Sequence, residues 1–143
     1  MEENFLVNVN VEGAIYNNGK FLMVVRSEKE VHASGDLALV GGKVDFRGEE
    51  ANILENTLKR EIMEEVGIAV KDTLTYVKSS SFTSIDGREF VDIVFLAHYK
   101  SCEAKAMSEE VSDVVWVSLD EALSDSRVKK WTKDSLQKAA LLI

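Results

Sequence analysis

The chain has 143 residues with a formal net charge of -8 and a sequence pI of about 4.8. That length fits one domain with its own hydrophobic core. The acidic balance argues against a polymeric nucleic-acid partner, which calls for a basic stripe. It leaves room for a small anionic ligand if divalent cations supply the positive charge.

No apolar run reaches the roughly 18 residues of a membrane-spanning helix. The opening MEENFLVNVNVEG lacks the basic start and apolar stretch of a secretory signal. A single cysteine, Cys102, excludes an internal disulfide framework and predicts a reducing, cytoplasmic setting. With no His or Cys around it, Cys102 reads as an incidental residue at a strand end.

Proline is absent, so loops are marked by Gly, Asn, Asp and Ser. LVNVNVEGAIY and KFLMVV read as two strands around a tight turn at Asn17-Asn18-Gly19. The polar loop SEKEVHASGD leads to a short strand, LALV, that ends at Gly41-Gly42. From Ile53 to Val66 the pattern is helical, with Leu58, Ile62 and Val66 recurring on one stripe. Asn52 with Glu55 has the spacing of a capping box, and Gly67 suits the left-handed residue that ends a helix.

LTYVKSSSFT and FVDIVFLAHY, joined through Asp86-Gly87, predict a second antiparallel pair. VVWVS is a further short strand, and Ser118 with Glu121 forms a capping box for a brief helix. From Thr132 onward, Leu136, Ala139, Ala140 and Ile143 recur at helical spacing. The sum is α/β in the α+β sense, a sandwich of helices on a mixed β-sheet.

The chemistry concentrates in REIMEEVG, Arg60 to Gly67. On a helical wheel Glu61, Glu64 and Glu65 fall within an arc of about 100°, beside the stripe that packs inward. A solvated face is the plain reading of such a run, but two costs oppose it. Like charges at i,i+4 destabilise a helix by roughly 0.2–0.5 kcal/mol. Anions in the last turn oppose the helix dipole by about 0.3–1 kcal/mol each. Arg60, four residues before Glu64, offsets part of this. Clustered carboxylate oxygens suit a hard cation such as Mg²⁺ or Mn²⁺. GGKVDFRGE, Gly41 to Glu49, leads into the same helix with bare backbone and a further carboxylate.

GGKVDFRGEEANILENTLKREIMEEVGI resembles the Nudix box, G-x5-E-x7-R-E-U-x-E-E-x-G-U, where U is a bulky aliphatic residue. Arg60, Glu61, Ile62, Glu64, Glu65, Gly67 and Ile68 match every fixed position of its second half. The first half is longer: six residues rather than five separate Gly42 from Glu49, and ten rather than seven separate Glu49 from Arg60. Glu49 or Glu50 can therefore fill the first glutamate position. Val40 replaces the usual proline before the glycines. The order of strands around the box and VVWVSLDEAL extend the resemblance over most of the chain.

This resemblance implies a Nudix-like α/β/α sandwich and a Mg²⁺- or Mn²⁺-dependent hydrolase that cleaves a nucleoside diphosphate derivative. Glu61, Glu65 and Glu64 would hold metal, with the Gly42 carbonyl and Glu49. Arg60 would orient the glutamates. A general base would come from the box, as Glu64, or from a later loop, where Glu110 leads and Glu109 follows. Arg26 is a phosphate contact or a surface arginine. Phe46 and His32 meet a base or merely pack their loops. Trp116 and Trp131 read as core or covering aromatics.

No proline-bearing marker of NADH- or ADP-ribose-cleaving members follows the box. That leans toward nucleoside triphosphates, with nucleoside monophosphate and pyrophosphate as products. A non-catalytic nucleotide-sensing domain is the alternative, and relatives that form dimers make a homodimer one possible assembly.

Overall fold

The computed structural model describes residues 6–28 and 35–143. The alternating apolar residues of β1 (Asn8–Asn17) and β2 (Lys20–Arg26) pair antiparallel across Asn18 and Gly19, both at positive φ. That is the backbone a two-residue hairpin turn with right-handed twist needs. Beyond this end the two strands splay. The gap is filled by β3 (Leu37–Ala38), which pairs with β2, and β4 (Val40–Lys43), which pairs with β1.

LALV is thus two strands rather than one. Leu39 marks the switch of partner, and pairing runs on through both glycines to Lys43. A short apolar stretch signals burial, whereas which neighbour it pairs with is set by the distant strands.

After β4 come α1 (Ile53–Val66), β5 (Ala69–Val70), β6 (Thr75–Thr83) and β7 (Glu89–Ser101). β7 runs parallel to β1 and antiparallel to β5 and β6. β8 (Val111–Val117) lines the far side of β2 and begins three residues before the VVWVS run. The capping box forms at α2 (Leu119–Ser124): Ser118 accepts from the Glu121 N–H at 3.1 Å, and Glu121 accepts from the Ser118 N–H at 3.0 Å. α3 (Lys130–Ala140) starts two residues ahead of Thr132 and stops before Ile143, which is exposed. No helix among the described residues is long and apolar enough to cross a membrane.

The mixed sheet has a core on each face. Leu58, Ile62 and Val66 of α1 pack with Val11, Ile15, Leu22 and Phe95 on one side. Leu136 and Ala139 of α3 pack with Ala14, Met23, Val94 and Leu96 on the other. Leu58 is fully buried, so Leu58→Ala is expected to cost about 2–5 kcal/mol, read as a lower midpoint in urea unfolding.

The start of α1 differs from the capping-box expectation. Asn52 is left-handed (φ 58), and its side chain makes no cap hydrogen bond. A capping side chain reaches the first N–H groups from an extended N-cap, which this backbone is not. Instead Asn56 reaches back, donating to a Glu50 carboxylate oxygen at 3.0 Å and the Ala51 carbonyl at 3.3 Å. The other end matches: Gly67 is left-handed (φ 72), and its N–H bonds to the Met63 carbonyl.

Candidate active site

α1 lies on the sheet with its last turn beside the glycine pair of β4. Glu65 belongs to the buried stripe rather than the solvent face and is 5% exposed. The Gly41 N–H donates to its carboxylate. Glu61 sits one turn earlier against Gly42, so close that a Cβ on Gly42 would lie 2.5 Å from the Glu61 carboxyl carbon. Glu64 points outward and is exposed. Arg60 bridges the row, 3.4 Å from a Glu61 oxygen and 3.7 Å from a Glu64 oxygen.

A third segment completes the cluster. The loop before β8 docks on the open end of α1: the Lys105 N–H bonds to the Val66 carbonyl at 3.0 Å and Met107 N–H to the Glu65 carbonyl at 2.9 Å. These bonds satisfy carbonyls that a helix end leaves without partners. The same loop carries Glu110, whose carbonyl accepts from the Ser27 N–H at 2.8 Å. The Glu110 charge reaches both Glu61 and Glu65. Of the two loop glutamates proposed from sequence, Glu110 is the one that faces the helix carboxylates.

The electrostatics follow. Burial, then the Glu61 and Glu110 charges, push the Glu65 carboxyl up to about 8, against relief from Arg26 and the Gly41 N–H. Burial likewise raises Glu61, with Glu64 and Glu110 adding and Arg60 opposing. Arg26 ends β2 at a register shift against β8, and its charge also reaches Glu12. Phe46 (85% exposed) and Glu49 stand out on the loop between β4 and α1, with Asn56 engaging Glu50. His32 lies outside the described residues. Trp116 is half-buried against the α1-side core, and Trp131 is exposed.

Among the described residues no three Asp, Glu, His or Cys side chains already form a closed metal cage. The donor set nonetheless fits a hard divalent cation. It offers carboxylate oxygens, Gly42 beside them has no room for a side chain, and Glu65 is buried with too little positive charge around it.

One charged group escaped the sequence reading. Glu12 of β1 hydrogen-bonds Asp92 of β7 on the α3 face of the sheet. Its signal was a glutamate inside an otherwise apolar strand, VNVEGAI. Burial and Asp92 hold the Glu12 carboxyl well above its ordinary range, with Lys78 and Arg26 opposing. Its proton is donated to Asp92. A raised folded-state value means that this stability is complete below the ordinary carboxylate range and is lost as pH climbs through the raised value. Glu12→Gln, which keeps a permanent N–H donor, is expected to raise the thermal midpoint at pH 8, with little change near pH 4. Melts across that range check it.

The chain matches the NUDIX domain family over residues 7–139. It is 30% identical over 107 residues to the NAD-capped RNA hydrolase NudC of Photobacterium profundum, covering 70% of this chain and 37% of that protein. The chain therefore spans little more than a third of that relative's length. Its fold overlays a MutT NUDIX hydrolase from Burkholderia pseudomallei with TM-score 0.79 at 27% identity, covering 94% of this chain and 98% of that one. It also overlays the NUDIX domain of Shewanella oneidensis NrtR, solved with ADP ribose, with TM-score 0.78 at 20% identity, covering 97% and 90%. Since the match runs from β1 into the last turn of α3 and takes in the motif on α1, the protein belongs to the Nudix hydrolase family.

Proposed function

We propose that the chain is a divalent-metal-dependent pyrophosphohydrolase that cleaves the diphosphate linkage of a small nucleoside diphosphate derivative. The observation that carries this reading is the convergence of Glu61, Glu65 and Glu110 from a helix and a separate loop beside the bare Gly41-Gly42 backbone. Relatives named as a NudC hydrolase and a MutT hydrolase support a nucleotide derivative as substrate class. The NrtR domain solved with ADP ribose supports a binding site for a diphosphate-containing nucleotide.

Glu61 and Glu65, with Glu64 at the rim, would hold Mg²⁺ or Mn²⁺ beside Gly42, whose carbonyl is directed at β1 by the Val11–Gly42 pairing. A bound cation would supply charge neutralisation for the diphosphate oxygens and a more acidic water. Phosphoryl transfer asks a protein mainly for positioning and electrostatics. Arg60 bridges a Glu61 oxygen and a Glu64 oxygen, which holds the ligand set in register. Glu110, on the separate loop whose charge reaches Glu61 and Glu65, takes the proton of the attacking water. As water adds to one phosphorus, the bridging P–O bond breaks and the departing phosphate leaves with its electron pair. Arg26 offers a bidentate donor to phosphate at the end of β2.

Nucleoside triphosphates are the first substrates to try, with monophosphate and pyrophosphate as products. The test is a panel of triphosphates, nucleotide sugars and dinucleotides incubated with Mg²⁺ or Mn²⁺, with the products separated. Turnover of at least one member only when metal is present is expected. Tight binding without turnover of any member would transfer the site to the nucleotide-sensing alternative.

A further inference from the structure

A cleft of about 400 Å³ opens on the α1 side of the sheet, at the end far from Glu110. Asn17, Tyr99, Cys102, Glu103, Ala104 and Trp116 line it. The volume lies within the range that small-molecule sites occupy. Trp116 is six residues along the chain from Glu110, about 20 Å at the rise of a strand. The cleft and the carboxylate cluster have no residue in common.

Two features make it a built surface. Tyr99 and Trp116 meet edge to face, with ring centroids 5.8 Å apart and planes at 86°, so their faces form a corner. The wall beside them is fixed from both ends. The Tyr99 hydroxyl donates to the Cys102 carbonyl at 2.7 Å, and the Lys105 N–H bonds to Val66 at 3.0 Å. Between these bonds Cys102 is held at φ 77, a conformation few residues other than glycine adopt.

The charge of the cleft selects its ligand. Glu103 is the one charged side chain among the lining residues, and among the described residues it has no ion-pair partner. Aromatic faces attract cations through the ring quadrupole, and a carboxylate at the rim attracts the same sign. An anion would be opposed by Glu103 and by the net charge of -8. We propose that this cleft binds a small organic cation of the alkylated-ammonium kind. Its apolar substituents rest in the Tyr99–Trp116 corner and its charge faces Glu103. The cleft thus takes a ligand opposite in sign to the phosphates proposed for the other end of the sheet.

The probes are choline and its neutral carbon isostere, 3,3-dimethylbutan-1-ol, titrated at matched ionic strength. Binding is read from the indole N–H signals in ¹⁵N–¹H spectra, with Trp131→Phe assigning the two tryptophans. Choline is expected to shift the Trp116 signal saturably and to leave Trp131 still. The neutral isostere should bind about tenfold more weakly or worse. Glu103→Gln should reduce choline to the level of the isostere while leaving nucleotide hydrolysis unchanged. Trp116→Leu removes the corner, but it also disturbs the core, so the exposed Glu103 variant decides. Equal responses to the two probes, a drift that does not saturate, or a choline response that survives Glu103→Gln would each overturn the proposal.

Discussion

Glu65→Gln is expected to lower kcat/KM by on the order of 10²-fold or more, while making the metal-free protein more stable. The two effects share one cause. Glu65 is 5% exposed, and its carboxyl is pushed up to about 8 by burial and by Glu61 and Glu110. At pH 7 it is held neutral in the folded protein, although it would be ionised in the unfolded chain. Holding it so costs on the order of 3 kcal/mol, from 1.36 kcal/mol per unit over roughly two and a half units.

Glutamine keeps the shape and the oxygen that accepts from the Gly41 N–H but has no charge to lose. It removes the cost and with it the anionic ligand. Thermal melts separate the roles. Adding Mg²⁺ or Mn²⁺ should raise the midpoint of the wild type and leave that of the variant in place. A variant with full activity would refute the role assigned to Glu65. A less stable metal-free variant would instead refute the account of its burial.

This opposition between stability and activity was visible in the sequence as misplaced charge. Three glutamates on one arc of a helix, two of them in its last turn, are a local fact, and local facts survive the absence of a structure. The same holds for the bounds of α1, the Asn18-Gly19 turn and the Ser118–Glu121 box, all decided within a few residues of chain. Asn52 shows the limit even of local patterns. Its spacing to Glu55 is right, but its left-handed backbone leaves the side chain out of the cap.

What the sequence could not show depends on distant pairing. Glu12 and Asp92 meet because β1 and β7 run parallel, with Asn10 opposite Asp92, a register that neither strand encodes alone. Glu110 already led Glu109 in the sequence, but its place beside α1 depends on a loop whose backbone bonds to the end of that helix and to Ser27. The longer first half of the box is placed outside the cluster: Glu49 and Phe46 project from the loop, and Asn56 holds Glu50. The insertion therefore lengthens the approach to α1 without disturbing Glu61, Glu64 and Glu65.

The glycine pair of β4 yields the sharpest separation between folding and chemistry, because one methyl group asks a different question at each residue. At Gly41 a Cβ would lie 2.1 Å from the Val11 carbonyl oxygen and 2.9 Å from the Glu12 Cα, both backbone atoms of the paired strand. Neither can move without opening the β1–β4 ladder. Gly41→Ala is expected to destabilise by more than about 3 kcal/mol and to yield little soluble protein.

At Gly42 the neighbour is the end of a side chain, the Glu61 carboxyl group at 2.5–2.8 Å. That group can swing aside at small cost, since a glutamate has several rotatable bonds. Gly42→Ala is therefore expected to fold with an unfolding midpoint close to that of wild type, yet to lose on the order of 10²-fold in kcat/KM, because Glu61 no longer meets Glu65 and Glu110. Urea unfolding beside steady-state kinetics distinguishes the two. If Gly42→Ala kept full activity, the Glu61 carboxylate would not need its present place, and the metal role given to it would fall. If both variants failed to fold, the bare backbone would serve the sheet alone.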